Sequence, residues 1–265
     1  MLRSSNPVLS RQDAFTPGQP QTAYDQHGYP LPGAPTPPAK PEGRMTLDDV
    51  VTKSAILIGL LVISAAAAWV LIPDSLMLPA MIGSGLVGFV VSMVVVLRRV
   101  MSPVLAGAFA LIEGVFIGMI SKYFESFYAG IVPSAVLATF VAAGITLAAY
   151  KFLNVRVKGM LAKVAMVGTI AFAGAMLLNF GLAMFGINLG LRAGVTGPVS
   201  PLAIIVSAIA VVLCVLNLFL DFQHIENGIR IGAPAKESWR AAFGLTVTMV
   251  WLYVEILRIL SYFRR

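Results

Sequence analysis

The stretch PLAIIVSAIAVVLCVLNLFLD, Pro201–Asp221, decides the class of fold, because its first 20 residues carry no charge. A helix of about 20 apolar residues is long enough to cross the hydrocarbon core of a bilayer. The whole chain is 58% hydrophobic and only 12% charged, whereas a soluble domain has about 25% charged residues. The sequence therefore predicts an integral membrane protein. Basic residues beside the cytoplasmic ends of spans explain its net charge of +7, and no nucleic acid is required.

Seven stretches of the chain are long and apolar enough to cross a membrane. They cover residues 53–72, 76–97, 103–121, 131–150, 161–185, 201–221 or beyond, and 239–260. Proline residues stand between these runs or at their edges, where they begin or end helices. Strands of a membrane β-barrel need only about 10 residues each. The lengths therefore predict an all-α membrane protein with seven transmembrane helices.

The N-terminal residues 1–44 differ from everything that follows. They are rich in Pro, Gly and Gln and contain few aliphatic side chains, so they bury too little apolar surface to offset the entropy of ordering. We expect a disordered cytoplasmic tail, without the apolar core of a signal peptide, before a seven-helix domain at residues 45–265. Thr46 is predicted to cap the first helix, whose first turn contains Asp48 and Asp49.

The distribution of Lys and Arg predicts the orientation. The N-terminal region and the even-numbered connections hold 14 of these residues, and the opposite side holds 4. Since basic residues accumulate in cytoplasmic loops, we expect the N-terminus and the loop 151–163 to face the cytoplasm. Arg264 and Arg265 do not fit this bias and leave open a last helix that does not fully cross.

Three carboxyl groups lie inside predicted spans, namely those of Glu113, Asp221 and Glu255. A charge at the centre of a membrane helix costs about 3 kcal/mol, so each is a candidate functional residue. Asn217 and His224 share a helix face with Asp221. A carboxyl beside an imidazole would titrate near neutral pH. His224, however, also fits a position at the cytoplasmic water boundary.

For the other two carboxyl groups the residues leave alternatives open. Glu255 either pairs with Arg258 three residues later or shares a proton with another carboxyl group. Glu113 precedes the segment GVFIG, whose glycines allow close helix contact. This pattern favours a structural role for Glu113 over a role in a transport pathway.

Sequence motifs for catalysis or cofactor binding are absent: the chain has no HExxH, no Gly-x-Ser-x-Gly, no phosphate-binding glycine loop and no paired cysteines. Its single cysteine, Cys214, is expected to be a small buried hydrophobe. We therefore expect neither an enzyme nor a resident cofactor.

Three segments carry a resemblance to a known family. They are SPVLAGAFALIEGVFIGMIS at 102–121, LNLFLDFQHIENGI at 216–229 and WLYVEILRILSYF at 251–263. The chain resembles the Bax inhibitor-1 (YccA-like) family of transmembrane Bax-inhibitor-motif proteins, most of all its bacterial branch. The resemblance implies six helices around a central seventh. It also implies a pair of acids in helices six and seven that shares a proton and gates a calcium leak.

By position, Asp221 matches the first acid of that pair and Glu255 the second. Arg258 stands near a position where the family pattern has Asn. At 1.5 Å per residue, Asp221 lies about 15 Å and Glu255 about 24 Å from the turn that joins the two helices. This offset of about 9 Å leaves open a direct contact, a bridging water or a bridging cation.

The resemblance implies a pH-sensitive calcium leak in the bacterial cytoplasmic membrane. Calcium prefers oxygen ligands, so we expect Asp221 and Glu255, aided by Asn217 or backbone carbonyls, to form the calcium site. If the two acids act as one unit, Asp221→Asn and Glu255→Gln should change calcium flux in the same way. The alternative is a non-transporting regulator, in stress or quality control, that binds membrane-protein partners. The oligomeric state stays open.

Overall fold

The computed structural model describes residues 43–97, 101–187, 189–192, 194–195 and 198–264, which contain seven long helices. A short 3-10 turn, Asp74–Leu76, precedes the second helix. The seven helices are α1 Leu47–Leu71, α2 Met77–Leu97, α3 Pro103–Glu125, α4 Ile131–Phe152, α5 Met160–Met184, α6 Pro201–Arg230 and α7 Glu237–Phe263. All are long and apolar enough to cross a membrane, which confirms the predicted fold class.

The helix ends form two sides of the bundle. The near side contains the start of α1 and the turn between α6 and α7, which hydrogen-bond to each other through Met45 N and Ala233 O. The far side contains the end of α7, where the Arg264 guanidinium donates to Ala129 O at 2.7 Å in the α3–α4 turn. The last helix therefore runs the full length of the bundle. Arg264, a discordant charge in the sequence, binds carbonyl groups of a far-side turn.

The described part of the chain begins two residues before the predicted start of the folded domain at residue 45. Gly43 and Arg44 pair with the α6–α7 turn through an isolated antiparallel bridge to Pro234 and a hydrogen bond from Ala235 N to Gly43 O. Thr46 caps α1 by accepting from Asp49 N at 3.2 Å, as predicted. The predicted disorder of residues 1–42 and the basic residues Arg98, Arg99 and Arg265 lie outside the described residues.

Helix α7 occupies the centre of the bundle and packs against α1, α3, α4 and α6. Helix α5 packs along α6 and reaches α7 through the rings of Phe172 and Trp251, whose centroids are 5.5 Å apart. Helix α2 packs on the outside of α3. Polar side chains on α7 can therefore meet partners from several helices.

The glycines of the GVFIG segment bring α3 against α1. A Cβ atom on Gly114 or Gly118 would overlap the backbone carbonyl of Leu61 or Ala65 on α1. The Ser64 hydroxyl donates to Leu111 O at 2.6 Å across the same interface. Small residues at this spacing allow two membrane helices to approach closely, as the sequence predicted.

Substitution of Gly118 by Ala is expected to destabilise the bundle by about 1–3 kcal/mol, because the methyl group must push α1 away from α3. Gly144→Ala on α4 is the control, since a Cβ there meets no atom within 4 Å. Thermal unfolding of the purified proteins in detergent measures both effects. An equally small change in the two variants would contradict the assigned helix contact.

Candidate functional site

The Asp221 carboxyl on α6 faces α7. The Thr248 hydroxyl oxygen lies 2.7 Å from Asp221 Oδ2 and 3.1 Å from Gly244 O. A Cβ on Gly244 would lie only 3.7 Å from Asp221 Oδ1, so the carboxyl rests against the backbone of α7. That distance is an ordinary van der Waals contact, so a small side chain would also fit at this level.

The arrangement around Thr248 suits both protonation states of Asp221. A hydroxyl group has one proton to donate and two lone pairs to accept with. When Asp221 is ionised, Thr248 donates to the carboxylate. When Asp221 is protonated, it donates to Thr248 Oγ1, and the hydroxyl proton turns to Gly244 O. The hydrogen bond between Asp221 Oδ2 and Thr248 Oγ1 can therefore persist when a proton arrives or leaves.

The Glu255 carboxylate is held by a residue from the connection between α5 and α6. Arg192 donates from Nη1 to Glu255 Oε2 at 2.7 Å and from Nη2 to Glu255 Oε1 at 2.6 Å. The Glu255 side chain is 2% exposed and that of Arg192 is 14% exposed. Arg258 Nε lies 4.0 Å from Glu255 Oε2, so the predicted bridge along α7 is the longer of two ion pairs.

Side chains of three helices surround the Arg192 guanidinium. Its Nε donates to Met176 Sδ at 3.1 Å on α5, and its Nη1 also reaches Ser207 Oγ at 3.3 Å on α6. The guanidinium carbon lies 5.2 Å from the ring centroid of Phe172, within the range of a cation–π interaction. The α5–α6 connection is thereby drawn into the bundle from the far side.

Sequence reasoning did not identify Arg192 as a site residue. It counted this arginine among the far-side connections, because the residue stands between two apolar runs in a segment without a motif. One signal was available. Basic residues are scarce on the far side, and an isolated arginine there is not explained by the accumulation of basic residues in cytoplasmic loops. Nothing in the local sequence indicates that its partner is 63 positions away.

An apolar layer separates the two carboxyl groups. Cys214 and Leu218 of α6 and Leu252 of α7 are each fully buried and pack together there. Thr248, the partner of Asp221, precedes Glu255 by seven residues, or about 10 Å of helix. This separation agrees with the offset expected from the sequence. Among the described residues each carboxyl group has its own hydrogen-bonding partner, and no hydrogen bond joins them.

The remaining predicted residues are divided among three places. Asn217 donates to Thr169 Oγ1 on α5 at 2.7 Å, so it turns toward α5, whereas Asp221 turns toward Thr248. His224 is exposed near the end of α6, in agreement with a position at the water boundary. Glu113 lies against α2, where a Cβ on Gly88 would clash with its Oε2. Glu113 therefore packs against α2, and its structural role stays a prediction.

The geometry bears on the expected cation site at Asp221 and Glu255. Both Glu255 oxygens accept from Arg192, with Arg258 close by, so two cationic groups oppose entry of a metal ion there. Across the described residues, no cluster of three or more His, Cys, Asp or Glu is present. Asp221 and Thr248 present oxygen atoms, the ligand type that hard cations prefer, and their hydrogen bond involves no arginine.

Comparison with known proteins identifies a family that the chain matches. The family model described as Bax inhibitor 1 like matches residues 6–265. No curated protein matches the chain. The matched segment includes all seven helices and the residues of both carboxyl sites.

We expect strong energetic coupling between Arg192 and Glu255. Arg192→Gln or Glu255→Gln alone leaves a buried charge without its main partner and should destabilise by about 3–5 kcal/mol. The double substitution should cost clearly less than the two single effects added. Unfolding of the four proteins in detergent gives the coupling energy.

The exposed pair of Lys122 and Asp74 provides a matched control, because its N–O distance is 2.7 Å but Asp74 is 83% exposed. The cycle of Lys122→Gln and Asp74→Asn should give a coupling of about 0–1 kcal/mol. If the buried pair gives no larger coupling, Arg192 does not stabilise the bundle through Glu255.

Proposed function

The chain belongs to the Bax inhibitor 1 like family, and we propose that it lets calcium ions leak across a bacterial cytoplasmic membrane under proton control. Calcium is implied by the family resemblance of the segments that contain Asp221 and Glu255. The proposed path follows the α6–α7 seam, which comprises these two acids and the apolar layer of Cys214, Leu218 and Leu252. The proposal includes no catalytic activity and no resident cofactor.

One observation carries the proposal: two carboxyl groups with different partners lie on opposite sides of an apolar layer in a membrane bundle. Asp221 bonds Thr248 on the near side of the layer, and Glu255 bonds Arg192 on the far side. Hydrophobic constrictions close channels by excluding water. The arrangement therefore resembles a closed path with a proton-binding group on one side and an ionic lock on the other.

Asp221 is the proposed proton sensor. Its bonding partner is the neutral Thr248, and the ionisable groups that follow it on α6, His224 and Glu226, are exposed on the near side. A neutral Asp221 is compatible with an apolar seam. Ionisation places a charge in the membrane interior, which is costly and is relieved by water or a cation. Calcium flux should therefore rise with pH.

Glu255 has a different proposed role. Its ion pair with Arg192 holds the α5–α6 connection in the far side of the seam, so removal of the Glu255 charge should release this lock at any pH. From the sequence we expected the two acids to act as one unit, with the same effect of either amide substitution. Their separate partners favour two distinct phenotypes instead.

A non-transporting regulator is the second candidate. The contacts of Glu255 with two arginines and the fully buried apolar layer are also what a purely structural core would need. In that case the near-side surface would bind partner proteins, and Asp221 and Glu255 would only stabilise the packing of the helices. Calcium flux distinguishes the two functions, since the regulator conducts none.

Calcium entry into liposomes that contain the purified protein and a calcium-sensitive dye is the principal test. Wild-type flux should rise from acidic to alkaline pH. Asp221→Asn should flatten this pH response, because it keeps the shape of the carboxyl but cannot ionise. Glu255→Gln should raise flux several-fold at every pH and preserve the rise.

Asp48→Asn is the matched control, because it makes the same chemical change at an exposed position on α1; it should behave as wild type. Protein-free liposomes give the background. If wild type and all variants remain at that background at every pH, the transport proposal is wrong and the regulator is favoured.

The proposal also places the N-terminus and the near side in the cytoplasm, from the asymmetry of basic residues. In intact cells, Ser75→Cys in the far-side α1–α2 connection should react with a membrane-impermeant thiol reagent. Lys158→Cys in the near-side α4–α5 connection should react only after permeabilisation. Both positions are exposed, and the native Cys214 is buried. Labelling of Lys158→Cys alone in intact cells would show the reverse orientation.

A further inference from the structure

A cavity of about 440 Å³ lies between α1 and α4, away from the α6–α7 seam. We call it the α1–α4 groove; its floor is formed by α3 and α7 and its walls by α1 and α4. Floor residues such as Ile117 and Tyr253 are buried, with 8% exposure each. An engineered apolar cavity of about 150 Å³ is large enough to bind benzene. The groove therefore has room for a considerably longer apolar molecule.

The groove opens sideways between two membrane-spanning helices. Its edges carry Val62 on α1 and Phe140 on α4, which are 55% and 53% exposed. The outer surfaces of both helices are apolar and face the bilayer. A molecule that enters the groove from this opening therefore comes from the membrane.

The hydroxyl groups on the groove wall all have partners within the protein. Ser121 Oγ and Tyr253 Oη lie 2.6 Å apart, Thr139 donates to Ala135 O at 2.7 Å, and Thr246 donates to Ala242 O at 2.8 Å. An occupant therefore needs no polar groups to satisfy these hydroxyl groups. A polar occupant, by contrast, would lose its own hydrogen bonds to water without replacement.

The length of the groove matches one leaflet of the bilayer. Its lining on α1 runs from Ile58 to Val70 near the far end of that helix. Twelve residues of helix correspond to about 18 Å, and half of the hydrocarbon core is about 15 Å thick. We propose that the α1–α4 groove binds one acyl chain of a phospholipid from the far-side leaflet.

Two basic residues lie at the end of the groove where the lipid headgroup would be. The exposed Arg264 guanidinium donates to Ser134 Oγ at 3.2 Å, and Ser134 lies between the lining residues Val132 and Val136. Lys122 follows the lining residue Ser121 and forms the far-side pair with Asp74. Because Lys122 is paired with Asp74 and Glu125 accepts from Gly130 N and Val132 N at the same end, Arg264 is the basic group placed to meet a lipid phosphate.

Trp69, which lines the groove, reports occupancy. A variant with Trp239→Phe and Trp251→Phe retains Trp69 alone and keeps aromatic rings at the other two positions. In detergent, a phosphatidylglycerol with brominated acyl chains, added at low molar ratio, should quench Trp69 fluorescence in a saturable manner. Val136→Phe narrows the groove and should weaken this binding at least tenfold.

Val141→Phe on the same helix is the control, because Val141 is 50% exposed and does not line the groove; it should bind as the parent does. Arg264→Gln should weaken binding of the brominated phospholipid but leave brominated diacylglycerol, which lacks phosphate, unchanged. Circular dichroism and the thermal midpoint establish that each variant is folded. Quenching that does not saturate, or that is equal in the parent and Val136→Phe, means general contact with surrounding lipid and overturns the proposal.

Discussion

The two hydrogen bonds between Arg192 and Glu255 are the interaction on which the far half of the bundle depends. Removing two charges from water is costly, and their attraction offsets the cost only when the geometry is good and the remaining donors find partners. Here both carboxylate oxygens are engaged, and Met176 and Ser207 take further donor positions of the guanidinium. The pair therefore fixes the path of the α5–α6 connection and the rotation of α7 together.

This constraint leaves Asp221 as the ionisable group beside the apolar layer on its near side, whereas His224 and Glu226 lie further toward the end of α6. Glu255 is neutralised by its arginine partners, and the layer of Cys214, Leu218 and Leu252 separates it from Asp221. Within the described ranges, the hydrogen-bonding partner of Asp221 is the Thr248 hydroxyl group. In the proposed mechanism proton binding and locking are consequently carried out by different residues at different depths. This division explains why two acids in neighbouring helices need not form a direct pair to act in one process.

Most of the fold could be predicted because its determinants are local. Apolar length defines the helices, and Thr46 with its two aspartates defines the start of α1. Even the depth offset between Asp221 and Glu255 follows from residues counted along two helices, because the rise per residue is constant. The close contact at Gly118 was likewise recognisable from the spacing of small residues.

The partners of the acids could not be predicted, because they depend on packing between distant segments. Arg192 reaches Glu255 across 63 positions, and its local sequence is that of an ordinary connection. The sequence suggested Arg258 as the partner of Glu255, because sequence spacing identifies pairs on the same helix but not pairs between helices. Nothing in the sequence around Thr248 marks it as the partner of Asp221, because the pairing depends on how α7 is rotated against α6.

The exchange of the two charges tests the central claim most directly. In calcium-flux measurements on reconstituted protein, Arg192→Glu and Glu255→Arg should each raise basal flux, because like charges then face each other across the far side of the seam. The double variant restores one carboxylate opposite one guanidinium and should return flux to near the wild-type level. If the double variant conducts as much as the more active single variant, or if neither single change alters flux, the ion pair does not close the path.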